Sequence, residues 1–280
     1  MANEKHKRVI TGGKKINVND YDPAETNGIS RADAEAKLPD MTARLDRLQD
    51  LLYGAKTHGL LVVLQGMDAA GKDGTIRHVF QSFDPVGTNA YSFKAPTEEE
   101  LDHDFLWRVH RYAPGRGYVS IFNRSHYEDV LIVRVHEMVQ RDIWKARYQQ
   151  INEFERMLTE NNTLIIKFFL HISKDEQRQR FLDREHDPKA AWKLALSDWQ
   201  ERAYWDAYQE AYSEAISQCG TERAPWHIVS ANHKWYRNYY VTQSLLDLLE
   251  PHGKKWEQAL TARGKQALAE IAESGIHTEG

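Results

Sequence analysis

The sequence predicts an α/β fold, a parallel sheet flanked by helices within one large domain. Short aliphatic and β-branched runs alternate with helical stretches of ten residues or more, the pattern of βαβ units with right-handed crossovers. A glycine-rich turn joins the first of these runs to the helix after it. The chain's 280 residues, 41% hydrophobic and 28% charged, can bury a sizeable core. No internal repeat, low-complexity tract or Pro/Gly/Ser linker divides them.

Taken in order, residues 1–37 mix Lys5, Lys7, Arg8, Lys14 and Lys15 with Gly12, Gly13 and Asn17 and show neither period, so they read as an irregular arm. Leu38, Met41, Leu45, Leu48 and Leu52 recur every three to four residues, a helix with Pro39 near its first turn and Gly54 close to its end. Residues 60–65 form an aliphatic run ending at Gly66, a strand buried on both faces, and a helix is predicted next over about 71–83. Two more strands are predicted over 118–122 and 164–172, with helical sequence between them around 129–158. A fourth, over 226–229, precedes a last pair of helices, about 237–249 and 254–273. The expected organisation is the arm, then a single domain over 38–280.

Composition excludes several classes of function. The longest apolar run, Leu60 to Leu64, is far too short to span a bilayer, and the start is polar and basic with no apolar leader core. A single cysteine, Cys219, forms no internal disulfide, so a cytoplasmic setting is expected. A net charge of −4 provides no global basic field for nucleic acid or an anionic membrane. A polyanion must meet a local patch, and residues 105–126 supply one: Arg108, Arg111, Arg116 and Arg124 with no acidic residue, between acidic flanks.

The segment Gly66-Met-Asp68-Ala69-Ala70-Gly71-Lys72-Asp73-Gly74 has the Gly-x4-Gly-Lys spacing of a P-loop, after a predicted strand and opening a predicted helix. Glycines let successive backbone N–H groups turn toward one anion, the helix N-terminus adds its positive end, and Lys72 contributes a point charge at the outer phosphates. Where a usual P-loop has Ser or Thr to hold Mg²⁺, this chain has Asp73, and a second carboxylate, Asp68, lies inside the loop. Two carboxylates repel a polyphosphate unless a divalent cation lies between, which argues for Mg²⁺ here, with Mn²⁺ as an alternative, or for a carboxylate that activates an incoming phosphate oxygen. Asp73 can also serve simply as an acid favoured in the first turn of the helix.

The strand over 118–122 runs into Asn123-Arg124-Ser125-His126-Tyr127-Glu128-Asp129, polar groups just past a strand's carboxyl end, where ligands bind in open α/β sheets. These residues and the P-loop segment, together with Phe181-Leu-Asp-Arg-Glu185 and Asp198-Trp-Gln-Glu-Arg202, resemble polyphosphate kinase type 2 over residues 38–249. The resemblance implies a thymidylate-kinase-like P-loop kinase with a helical lid, here about 173–206. Such a kinase moves phosphoryl groups between inorganic polyphosphate and nucleotides with Mg²⁺. Glu128 resembles the subgroup, class III, that accepts nucleoside mono- and diphosphates, so AMP would pass to ADP and on to ATP. A homodimer or homotetramer is implied as well.

In the lid, Ser173 and Glu176 form an expected capping box. At 100° per residue Arg178 falls between Phe181 and Leu182, so it is expected on the apolar face, either as a ligand of the phosphate in transfer or in a structural ion pair. Arg180 and Arg184 fall on the other side of Phe181. A further helix over 189–216 would carry Trp192, Leu196, Trp199, Trp205, Tyr208 and Tyr212 as a core or subunit-interface stripe, with Lys189 and Lys193 as contacts to a long polyanion.

The catalytic set expected is thus Asp68, Lys72, Arg124, Asp129 and Arg178, with Mg²⁺ on Asp68 and Asp129. Gly66, Ala69, Ala70, Gly71, Asp73, Gly74, Asn123, Glu128, Arg134, Arg184, Lys189 and Lys193 would complete the phosphate and nucleotide contacts. Two rivals stand beside this reading: an ATP-dependent nucleotide kinase of the same fold, and a non-catalytic nucleotide or polyphosphate binder. The carboxylates at 68, 73, 128 and 129 speak against the second, since a pure anion binder gains nothing from them.

Overall fold

The structure, a computed structural model, describes residues 8–189 and 191–274. Its six-stranded sheet has the order β1-β6-β5-β2-β4-β3. β2 (Gly59–Gln65), β3 (Thr88–Ser92), β4 (Val119–Asn123), β5 (Thr163–His171) and β6 (Trp226–Ser230) run parallel, and β1 (Val9–Ile10) joins β6 antiparallel at the edge. Every residue of β2 is buried, as a central strand covered on both faces requires.

β3 was not predicted, because Thr-Asn-Ala-Tyr-Ser has no apolar run. It is a strand only by virtue of pairing with β4 at the far edge, where its side chains are half-exposed or exposed. From Arg8 onward the arm is laid on this chain's own sheet, and residues 1–7, with Lys5 and Lys7, lie outside the described residues. β1 adds to β6, Ile16 and Val18 donate their backbone N–H to Ser217 Oγ and Ser213 Oγ at 3.0 Å each, and Val18 is fully buried.

Helix α1 (Arg31–Ala55) begins seven residues before Leu38, because the Ser30 side chain accepts from the Asp33 N–H and Ala34 is already buried. α2 (Lys72–Val79) succeeds the phosphate loop, and two single turns, α3 (Glu98–Leu101) and α4 (Trp107–His110), bridge β3 to β4. The helical stretch expected over 129–158 divides into a 3₁₀ turn His126–Val130, a short α5 (Ile132–Val135) and the amphipathic α6 (Arg141–Glu160).

After β5 comes α7 (Lys174–His186), capped by Ser173. The single helix expected over 189–216 is broken. A 3₁₀ turn Ala191–Lys193 leads into α8 (Leu196–Glu201), since Ala195 is extended and its N–H is taken by the Asp198 carboxylate, and α9 (Trp205–Cys219) comes next. The aromatic stripe splits with it: Trp192 and Leu196 are largely exposed, whereas Trp205 and Tyr212 are buried.

The two helices expected at the C-terminus are one, α10 (Lys234–Glu273), which runs through Pro251. The loss of the proline N–H is outweighed by the anchoring of the next turns. Trp256 is fully buried, donates its indole N–H to His58 Nδ1 at 3.1 Å and stacks on His252, and α10 packs along α1. Among the described residues no helix is long and apolar enough to cross a membrane.

Candidate active site

The carboxyl ends of β2, β3 and β4, with α7 after β5 and α10 after β6, line one cleft of about 950 Å³. Its floor is the loop after β2. Gly66 (φ 153°) leaves no room for a side chain, since a Cβ there would stand 2.7 Å from the Leu170 carbonyl oxygen. Gly71 (φ 107°) is the N-cap of α2, and a Cβ there would meet the Arg237 guanidinium. Ala69 holds a left-handed φ of 61° between them. The loop therefore has the anion-cradling shape expected of the spacing.

Lys72 opens α2 beneath this loop. Its ammonium donates to the Gly66 and Met67 carbonyl oxygens at 2.7 and 3.3 Å. Burial, helped by the neighbouring Arg124 charge, lowers its pKa to about 8, against the opposing pull of Asp68, Glu128 and Asp73. Arg124, itself in a left-handed conformation just past β4, reaches across to Asp68 at 2.6 Å and toward Glu128 at 3.5 Å. Burial works against its charge, but the two carboxylates outweigh that and its pKa is raised. Glu128 is held from below by the amide of Gln65, the last residue of β2, at 3.1 Å. Asn123 donates to Asp73 at 2.6 Å, tying the end of β4 to the first turn of α2. Asp68, Ala69, Gly71, Lys72, Asp73, Gly74, Asn123 and Arg124 thus line one cleft, and Arg184 of α7 and Lys193 of the 3₁₀ turn after it line its opposite side. Ala70 is buried just beneath, where its carbonyl oxygen accepts from Arg180 at 3.0 Å.

Other expected residues lie elsewhere. Asp129 turns from the cleft onto Arg147, whose Nη1 donates to both its carboxylate and its carbonyl oxygen at 3.0 Å. Burial raises its pKa to about 6, with Arg147 and Arg108 opposing. Arg134 pairs with Glu214 at 2.7 Å, lies over the Trp144 ring, and lines a separate cavity between the arm and α9. Lys189 is exposed and does not line the cleft.

Arg178 is exposed, contrary to its expected place on the apolar face of α7. The inward face is Gln177, Arg180 and Phe181, spaced i, i+3, i+4, with the half-buried Arg184 on the same side. Leu182 is only half-buried, so the face is centred on Phe181 and on the side away from Leu182, which leaves Arg178 in solvent.

A divalent cation fits the loop carboxylates. Asp68 and Asp73 line the same cleft as Lys72, and oxygen ligands of this kind suit a hard cation that takes its remaining ligands from phosphates and water. Asp129, bound to Arg147, is not placed with them.

The chain matches the family described as polyphosphate kinase 2 over residues 28–257. It belongs to the polyphosphate kinase 2 family. It is 49% identical to the AMP/ADP-polyphosphate phosphotransferase of Meiothermus ruber over 248 residues, 88% of this chain and 92% of that relative. It is 44% identical to the ADP-polyphosphate phosphotransferase of Rhodopseudomonas palustris over 237 residues, 80% and 82% of the two chains. The crystal structure of polyphosphate kinase 2 from Arthrobacter aurescens TC1 superposes with a TM-score of 0.83 at 46% identity, covering 86% of this chain and 88% of that one.

Two cations of this polyphosphate kinase 2 cleft were not assigned to the site from sequence. Arg180 is buried, and all five of its donors are engaged: Nη1 with the Ala69 and Ala70 carbonyl oxygens, Nη2 with those of Ala231 and Asn232, and Nε with Glu176. It clamps the phosphate loop to the turn after β6. Arg237, 2% exposed on the first turns of α10, lies against Gly71 and Gly74 and donates to the neutral Asn238 side chain. Burial, with Arg180 adding repulsion, lowers its pKa to about 10. The available signal was position: Arg237 comes soon after a parallel strand's carboxyl end, as Arg124 does.

Proposed function

We propose that this cleft transfers phosphoryl groups from inorganic polyphosphate to AMP and ADP, giving ADP and ATP. The carrying observation is the concentration of cations at one phosphate loop. Lys72, Arg124, Arg180, Arg184, Lys193 and Arg237 come from several different elements, more positive charge than a single terminal phosphate needs. The family and the names of its relatives point to the same donor and acceptors.

The chemistry needs in-line placement and charge neutralisation rather than a covalent intermediate. Backbone N–H groups of 69 and 71–74 cradle the phosphate, the Ala70 N–H being held by the Met67 carbonyl oxygen, and Lys72 exchanges its bonds to loop carbonyls for a phosphate oxygen. Arg124, braced by Asp68 and Glu128, stands where it can span donor and acceptor phosphates. A divalent cation, Mg²⁺ in this reading, would be held by Asp68 with Asp73 alongside and would neutralise phosphate charge. Asp68 is also the carboxylate best placed to orient the acceptor phosphate. Arg184 and Lys193 track the chain of the polyanion outward along the lid. The protein works in this reading in the cytoplasm as a homodimer or homotetramer.

The test is nucleotide product analysis after mixing the protein, Mg²⁺ and long-chain polyphosphate with AMP or ADP, with ATP absent from the start. ATP from both acceptors, and none with Lys72→Ala, is expected. No product from polyphosphate, with ATP and AMP then giving ADP, would refute the donor; ATP from ADP alone would refute the acceptor range.

A further inference from the structure

Directly behind the segment that carries Arg124 and Glu128 lies a set of charged groups that touches no part of the cleft. Lys167, in the middle of β5, has no solvent exposure, and its three ammonium protons are all used. They go to Tyr127 Oη at 2.8 Å, to the Cys219 carbonyl oxygen at 2.7 Å and to a Glu155 carboxylate oxygen. Glu155, buried on α6, accepts a hydrogen bond from the Tyr127 hydroxyl on its other oxygen at 2.8 Å, and the same oxygen pairs with His126 Nε2 at 3.3 Å. Tyr127 is fully buried, with its ring edge-on to Trp226. The cluster therefore joins four elements: β5, α6, the 3₁₀ turn His126–Val130 and the C-terminus of α9.

A buried ion pair of this kind is a poor way to stabilise a core. Taking both charges out of water costs about what their attraction returns, and an apolar replacement of similar volume is often neutral or better. What the pair does provide is direction. One Lys167 ammonium proton and one Glu155 carboxylate oxygen hold the Tyr127 phenol between them, and Tyr127 is the residue next to Glu128 and the third after Arg124. The loop leaves β4 through the left-handed Arg124, so its path is set by what anchors it downstream. The same ammonium bonds the last residue of α9, whose Tyr208 and Tyr212 lie within electrostatic reach of Asp68 and Glu128.

We propose that Lys167, Glu155 and Tyr127 are positioning residues for phosphoryl transfer: the buried pair holds the Tyr127 phenol, and through it sets where Arg124 stands in the cleft and where Glu128 braces it. The proposal rests on the assignment of Arg124 to the reacting phosphates. Misplacing groups that act on the transferring phosphate by a fraction of an ångström lowers turnover without loosening a long polyanion held at many points.

The experiment measures kcat and KM for polyphosphate with ADP as acceptor, and Tm, on the full chain with Tyr127→Phe and with the double change Lys167→Met and Glu155→Gln. The first removes one hydroxyl; the second removes both charges together and leaves none unpaired. Each is expected to lower kcat at least tenfold, keep KM for polyphosphate within about twofold and shift Tm by a few degrees. Wild-type kcat in either folded variant, or a loss confined to KM or to Tm, overturns the proposal. If Tyr127→Phe does not fold, the double variant decides in the same way; if neither folds, the cluster is structural and the proposal falls. Arg124→Ala in parallel separates the two readings: loss of turnover there with full turnover in Tyr127→Phe keeps the assignment of Arg124 and discards this one.

Discussion

Lys72 should give the reaction an alkaline limit. The residue is 8% exposed beneath the phosphate loop, and its pKa stands near 8 against 10.5 for a free lysine. The difference corresponds to about 3 kcal/mol held against the charged form in the empty site. The charge that a polyphosphate needs is therefore lost as pH rises through 8 in the free protein, leaving Lys72 about nine-tenths neutral at pH 9. kcat/KM for polyphosphate, which reports the free protein, should fall by roughly tenfold per pH unit above 8. A bound polyanion favours the ammonium, so the fall in kcat should lie at higher pH. Initial rates of ATP formation from ADP between about pH 6.5 and 10 give both profiles. Lys72→Arg supplies a cation that does not titrate in this range, so its rate, though lower, should lose the limb near pH 8. A wild-type kcat/KM that stays flat to pH 10, or a limb at pH 8 that survives Lys72→Arg, would overturn the assignment of this limb to Lys72.

Two further predictions concern stability. Arg180→Met leaves four carbonyl oxygens and Glu176 without their donor, which should cost about 3 kcal/mol or more, a fall in Tm of roughly 10 °C by thermal unfolding, whereas Arg178→Met, on the exposed side of the same helix, should leave Tm unchanged. His171 and His227 are buried, and burial lowers both pKa values to about 4. Between pH 6.5 and 4 the unfolded chain binds protons that the folded one does not, so stability falls as pH falls. At about pH 5 the loss is about 2 kcal/mol for each histidine, and His227→Gln should flatten the acid limb of a urea-unfolding series.

The phosphate loop and the Asn123–Asp129 segment were legible in the sequence because each is a local arrangement. A strand ends, glycines permit an unusual backbone, and charged residues come next at set spacing. β2, β4, β5 and β6 were legible for a similar reason, since parallel strands covered on both faces must be runs of apolar residues. Where elements depend on partners, local pattern failed. β3 is a strand because β4 offers it an edge, and α10 passes Pro251 because Trp256 is anchored on His58. Arg178 and Arg180 differ by two positions on one helix. Which of them faces inward is decided by how α7 lies on the phosphate loop, which Leu182 and Phe181 could not settle by themselves.

The sequence alone determined the class of this protein: a P-loop α/β fold whose motifs place it with the polyphosphate kinases, with Lys72, Arg124 and Asp68 at its centre. Only the tertiary structure decided how the charges are divided. It turned Asp129 onto Arg147 and Arg134 onto Glu214, brought Arg180 and Arg237 from distant helices to the loop, and set Lys167 against Glu155 behind it. The physical reason is range. Periodicity and backbone conformation are set by neighbours along the chain, whereas a charge finds its counter-charge across whatever gap the packed elements leave between them.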